Sequence, residues 1–138
     1  MMLTAQHLMR QPLQTVDPGE SVAHAIRQMQ AKRISSLIVP PRYEGGVYGI
    51  ITKHDILGKV VAAGREPGRV RVAEAMTSPL ITVEPDCPAR RCAALMMRHR
   101  IRRLPVVVEG RPVGIVSDSD VFDALLNFHT DEALYPSL

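Results

Sequence analysis

Tryptophan is missing from this 138-residue chain, and Phe and Tyr together number only five. Proteins that stack single-stranded nucleic acid need more aromatic faces than that. Cysteine is also scarce. Cys87 and Cys92 are too few for a disulfide scaffold, and five residues apart they make a poor metal pair, so both read as plain thiols. No apolar run nears the roughly 18 residues that a membrane helix requires. Met1 to Pro12 lacks the charged-then-apolar order of a signal peptide, since Gln6, His7 and Arg10 interrupt it, so the cytoplasm is the expected compartment. Charge of one sign is not in large excess either. A net charge of +3 with 46% apolar residues excludes disorder and suits one compact domain, or two small units sharing a core.

The small positive excess is unevenly spread. Residues 1–71 hold ten basic and five acidic side chains, and residues 72–138 hold seven and nine. Six arginines crowd into 90–103, followed by Asp118, Asp120, Asp123, Asp131 and Glu132. Arg91 and Arg98 fall opposite an apolar helical stripe and read mainly as a solvated face. Nucleic acid is therefore an unlikely partner.

What the chain does have is a repeat. Shifted by 67, residues 9–39 fall on 76–106 with eleven identities, among them Met9/Met76, Pro12/Pro79, Thr15/Thr82, Pro18/Pro85 and Leu37/Leu104. Beyond Pro40-Pro41 the shift becomes 65, and Glu44/Glu109, Gly49/Gly114, Ile50/Ile115 and Asp55/Asp120 coincide. The copies run over 5–64 and 72–127, joined by a linker at 65–71 where Pro67 and Gly68 follow Gly64 and stop the preceding helical pattern, with a tail at 128–138.

Each copy predicts the same elements. A short strand (Gln14 to Val16; Ile81 to Val83) stops at Pro18 or Pro85. A helix follows, with Val22, Ala25, Ile26 and Met29 at helical spacing, matched by Ala89, Cys92, Ala93 and Met96. Two strands then form a hairpin: Ser36 to Val39 with Val47 to Ile51, and Leu104 to Val108 with Pro112 to Val116. A last helix carries Ile56, Leu57, Val60 and Val61, or Val121, Phe122, Leu125 and Leu126. The expected fold is α+β: two tandem β-α-β-β-α repeats packed into one intramolecular module. Met29, Met96 and Met97 read as core fillers.

At each junction between hairpin and last helix stands Gly-x-x-Ser/Thr-x-x-Asp, as Thr52 with Asp55 and Ser117 with Asp120. A hydroxyl and a carboxylate three apart at a helix start cap its free amides, and the dipole favours the carboxylate. The same geometry serves a ligand, because amides with a hydroxyl take phosphate and an Asp reads vicinal ribose hydroxyls. Both copies keep both side chains, which favours the ligand reading.

The order Met-Thr-x-Pro, Thr-Val-x-Pro, helix, Leu-Pro-Val-Val and Gly-Ile-Val-Ser-x-x-Asp resembles the cystathionine-β-synthase (CBS) domain. Met76-Thr77-Ser78-Pro79 and Gly114-Ile115-Val116-Ser117-Asp118-Ser119-Asp120 carry it most clearly. Met9-Arg10-Gln11-Pro12 and Gly49-Ile50-Ile51-Thr52-Lys53-His54-Asp55 are fair matches, and the likeness spans about residues 5–127. A tandem pair of such domains is called a Bateman module.

The resemblance implies adenosine ligands (AMP, ADP, ATP or S-adenosylmethionine) in clefts between the copies, with no other cofactor and no metal. By position it implies one site at Ser117, Ser119 and Asp120, with the base near Leu13, Thr15, Ile34, Ser36 and Leu37. The other would use Thr52, His54 and Asp55, with the base near Thr77, Ile81, Arg103, Leu104 and Pro105. The first looks the stronger, since its Ser-Asp-Ser-Asp run offers two hydroxyls. In the second, Arg102 and Arg103 stand where the first has serines, and either clamp a phosphate or fill the cleft.

No Ser-His-Asp order, HExxH or Walker loop appears, so no enzyme activity is expected. The expected function is a stand-alone regulatory module that senses adenine nucleotides and signals through conformation or an unidentified effector protein. A ligand-free scaffold is the alternative, and a nucleic-acid binder a more remote one. The resemblance also implies a homodimer formed through the repeat helices, and no membrane association is expected.

Overall fold

The computed structural model describes residues 2–127, so the predicted tail at 128–138 lies outside the described residues. The chain divides into two compact units. A continuous unit runs from Gln14 to Leu80, and a split unit joins the residues up to Leu13 to those from Ile81 onward. Each unit therefore holds the body of one sequence repeat and the leading segment of the other.

In the continuous unit, helix α2 (Val22–Lys32) precedes strands β1 (Ser36–Val39) and β2 (Gly49–Thr52). Helix α3 (Lys53–Ile56) follows β2 and widens into a π turn at Leu57–Val61, then a 3-10 turn at Pro67–Arg69 leads to α4 (Val72–Ala75). In the split unit, α1 (Ala5–Leu8) joins α5 (Ala89–His99), strands β3 (Arg103–Val108) and β4 (Arg111–Ser117), and α6 (Asp118–Asn127).

The two hairpins are antiparallel, Leu37 facing Ile51 in one and Leu104 facing Val116 in the other. The second closes through Glu109 and Gly110, both at positive φ (52° and 76°), which is the backbone a two-residue hairpin turn demands. Helices α2 and α5 end alike, on Arg33 and Arg100 in the left-handed region.

The expected strands at 14–16 and 81–83 shrink to single parallel bridges, Thr15 to Ile38 and Val83 to Val106. Pro18 and Pro85 follow too soon to extend the ladder. On the other side of each hairpin a leading segment adds an antiparallel bridge, Thr77 on Ile50 and Arg10 on Ile115. The close approach explains the motif glycines. A Cβ on Gly49 would lie 2.7 Å from Met76 Sδ and 3.1 Å from the Thr77 carbonyl oxygen; on Gly114 it would lie 2.8 Å from Met9 Sδ and 3.1 Å from the Arg10 carbonyl oxygen.

The backbone bonds anchoring the leading segments recur as well. The Val72 N–H donates to the Glu20 carbonyl as that of Ala5 does to Cys87, and Val22 donates to Val70 as Ala89 does to Leu3. Each pair maps onto the other through the shift of 67.

The cores follow the predicted stripes. Val22, Ala25 and Met29 bury with Leu37, Val39, Ile51, Ile56 and Val60 in the continuous unit. Cys92 and Met96 bury with Leu104, Val106 and Val116 in the split unit. Met97 departs from its expected role: it is 72% exposed, because one residue beyond Met96 turns about 100° around the helix. Leu57, Val61, Phe122, Leu125 and Leu126 are exposed too.

Candidate functional site

Both helix starts form the cap that the spacing predicts. In the continuous unit Thr52 Oγ1 accepts from the Asp55 N–H at 3.1 Å, and Asp55 Oδ2 accepts from the Thr52 N–H at 2.9 Å. In the split unit Ser117 Oγ accepts from the Asp120 N–H at 3.1 Å, and Asp120 Oδ2 accepts from the Ser117 N–H at 2.8 Å. Two orphan amides per helix are thereby satisfied.

Beyond the cap the carboxylates differ. Asp55 Oδ2 also accepts from the Thr52 hydroxyl at 2.9 Å. Its Oδ1 accepts from the Thr77 hydroxyl at 2.9 Å and pairs with Lys59 Nζ at 3.2 Å. An ionised carboxylate offers about four acceptor positions, so Asp55 is filled. Lys59 is committed too, donating to the Ala75 carbonyl at 3.0 Å and the Met76 carbonyl at 3.2 Å, where it caps the end of α4.

Asp120 carries a lighter load. Among the described residues, besides the Ser117 amide it accepts only from Arg10 Nε, at 2.8 Å on Oδ1. The Asp120 side chain is 8% exposed under an Arg10 side chain that is 74% exposed. The hydrogen bond and the charge of Asp120 both raise the Arg10 pKa, with Asp123 adding a smaller push, so the guanidinium is firmly cationic. Arg10 occupies the repeat position of Thr77, whereas Lys59 corresponds to Ala124, buried beside Leu3 and Ala89.

The first turn of α6 spends its own amides. The Asp118 N–H donates to the Arg102 carbonyl at 2.9 Å, and the Ser119 N–H to Asp118 Oδ1 at 2.8 Å. The hydroxyl-bearing Ser119 is exposed, as is His54 in the continuous unit.

Of the remaining residues that the resemblance implied, Thr15, Ile34, Ser36 and Leu37 belong to the continuous unit, with Thr52, His54, Asp55 and Thr77. Leu13, Ile81, Arg103, Leu104 and Pro105 belong to the split unit, with Ser117, Ser119 and Asp120. Leu37 and Leu104 are wholly buried core side chains, Ser36 and Pro105 are buried, Leu13, Ile34, Ile81 and Arg103 are half-buried, and Thr15 is exposed. The structure brings Thr77 onto Asp55. It also adds two groups that the spacing did not single out, Lys59 and Arg10. The signals existed: Lys59 is four residues after Asp55, and Arg10 aligns with Thr77.

Cys87 and Cys92 lie with sulfurs 3.7 Å apart, both buried and both free. Burial first, and then the neighbouring Cys87 thiol, push the Cys92 pKa up to about 12, so this thiol stays protonated and inert. No group of three or more His, Cys, Asp or Glu among the described residues is arranged to hold a metal ion. Nor is any helix among them long and apolar enough to cross a membrane.

A model of the CBS domain matches residues 5–62 and again 72–127. The CBS domain-containing protein CBSX3, mitochondrial, of Arabidopsis thaliana is 34% identical over 116 residues, covering 82% of this chain and 56% of the relative. The chain thus spans little more than half the length of that relative. The CBS domain-containing protein YhcV of Bacillus subtilis is 30% identical over 120 residues, covering 87% of this chain and 84% of the relative. Among solved structures, a hexameric CBS-CP12 protein from bloom-forming cyanobacteria superposes with a TM-score of 0.89 at 37% identity, covering 98% of this chain and 79% of the other.

Proposed function

From the premise that this chain belongs to the CBS-domain family, with two such domains in tandem, we propose that it is a regulatory module binding an adenosine-containing nucleotide at the Ser117–Asp120 helix start. The observation that supports this most is the carboxylate comparison. Asp120 accepts from two donors and has acceptor capacity left for vicinal ribose hydroxyls, whereas Asp55 accepts from four. Ser119 is exposed beside it and offers a further hydroxyl. On this reading Thr52, Lys59, Thr77 and Asp55 form a structural clasp holding the segment that leads into the second repeat.

The module acts by binding rather than by reaction. A ligand signals only as far as it prefers one arrangement of the protein over another. The receiver is an effector protein or a second copy of the chain. The exposed Phe122, Leu125 and Leu126 of α6 and Met97 of α5 favour a homodimer through these helices, and the CBS-CP12 relative is described as a hexamer. Sedimentation at micromolar concentration checks this, and a monomer would refute it.

Isothermal titration of nucleotide-free protein with AMP, ADP, ATP and S-adenosylmethionine tests the binding. Saturable heat that Asp120→Ala abolishes and Asp55→Ala retains is the expected result. A folded protein that gives no heat with any of the four leaves the scaffold reading in its place.

A further inference from the structure

We propose that Arg10 recognises the phosphate of the ligand, making the site selective for phosphorylated adenosine over the bare nucleoside; this rests on the nucleotide reading above. The residue comes from the leading segment of the first repeat, yet it is held against the cap of the second. Its backbone bridges Ile115, with the Arg10 N–H donating to the Ile115 carbonyl at 2.9 Å. Its Nε is fixed on Asp120 Oδ1 at 2.8 Å.

Elimination leads to it. Phosphate at a helix start is ordinarily held by free amides. In α6 the amides of Asp118, Ser119 and Asp120 are spent on the Arg102 carbonyl, on Asp118 Oδ1 and on Ser117 Oγ. The Asp118 carboxylate thus sits where an anion would bind the Ser119 amide. Among the described residues, the cation paired with Asp120 is Arg10. Its Nε is occupied, and the N–H groups on its two Nη atoms have no partner among the described residues. A guanidinium whose Nε is tied to a carboxylate keeps a rigid fork for a phosphate, and a ribose on Asp120 would bring the phosphate within reach of that fork.

The other unit supplies the contrast. There the equivalent residue is Thr77, whose hydroxyl is spent on Asp55, and the nearby cation, Lys59, is spent on Asp55 and on two carbonyls. Arg10→Thr therefore places in the split unit a side chain that the fold already accepts at this position.

The test is isothermal titration of AMP and of adenosine against wild type, Arg10→Thr, Arg10→Lys and Arg102→Ala, each first checked for an unchanged circular-dichroism spectrum and melting temperature. Loss of a charge-assisted fork predicts that Arg10→Thr weakens AMP by about tenfold or more and leaves adenosine within about twofold. Arg10→Lys, which keeps the charge and loses the fork, falls between. The proposal is overturned if AMP and adenosine weaken together, which would make Arg10 a mere support for Asp120. It is equally overturned if AMP is unaffected, or if Arg102→Ala and not Arg10→Thr removes the preference. Wild type that binds neither ligand would overturn the nucleotide reading itself, and this inference with it.

Discussion

In the continuous unit the helix-start carboxylate accepts from Thr52, Thr77 and Lys59, whereas in the split unit it accepts from Ser117 and Arg10. Around both, the backbone is the same: a capped helix, a glycine under a methionine, and a leading segment bridged to the hairpin. The main-chain bonds are dictated by the fold, and they repeat at the shifts of 67 and 65 that relate the two sequence copies. The side chains reaching the carboxylate are not so dictated. A cation on the helix in one unit is replaced by a cation on the leading segment in the other, and only the second leaves acceptor positions open. A duplicated motif therefore does not imply a duplicated site.

The comparison can be broken at its cores first. Leu37→Ala and Leu104→Ala each empty a wholly buried position and should each cost about 2–5 kcal/mol in urea denaturation. Two unfolding steps, each moved by one mutant, would show that the units unfold separately.

The carboxylates come next, and here the units should part company. Asp55→Ala strips four donors of their acceptor and should cost about 1–3 kcal/mol, with nucleotide binding retained. Asp120→Ala removes the cap and the acceptor of two donors rather than four, and should cost about 0.5–2 kcal/mol while abolishing binding. Equal stability losses, or binding lost on Asp55→Ala, would remove the asymmetry.

A smaller effect separates the units chemically, since only the split unit contains thiols. The Cys92 pKa, raised to about 12 chiefly by burial, means that the unfolded chain gains a thiolate from about pH 9 and the folded one does not. Stability from this group is therefore complete below pH 9 and declines as pH rises toward 12. Native protein at pH 8 should resist alkylation by iodoacetamide that labels it readily in urea, as mass spectrometry would record.

The smallest effect belongs to the continuous unit. Asp17, through the Gly19 N–H and then Arg42, and Glu74, through the Arg71 N–H and then Arg65, have lowered pKa values. Their contribution is present above the ordinary carboxylate range and is lost as pH falls through their folded values. Both are surface groups, so the acid slope of stability should shift only slightly in Asp17→Asn or Glu74→Gln, and less still in high salt.

Much of this architecture was readable from the chain. The spacing of Val22, Ala25 and Met29, and of Ala89, Cys92 and Met96, located α2 and α5 and their buried faces, because a helix buries the same side only at a period of 3.6. The repeat placed both caps, since a hydroxyl and an acid three apart close a first turn with no help from distant residues. The single bridges at Thr15 and Val83 and the π turn at Leu57–Val61 are not legible in the same way, because local pattern does not register where a ladder stops or a helix widens.

What the sequence determined by itself is the set of local elements and the family, because periodicity, turn residues and the tandem order act over a few neighbouring positions. What only the tertiary structure decided is which groups meet each carboxylate. Arg10 lies 110 residues from Asp120 and Thr77 lies 22 from Asp55. Their meeting depends on each unit taking its leading segment from the other repeat, and hydrogen-bond capacity is spent by whatever the folded chain brings within about 3 Å.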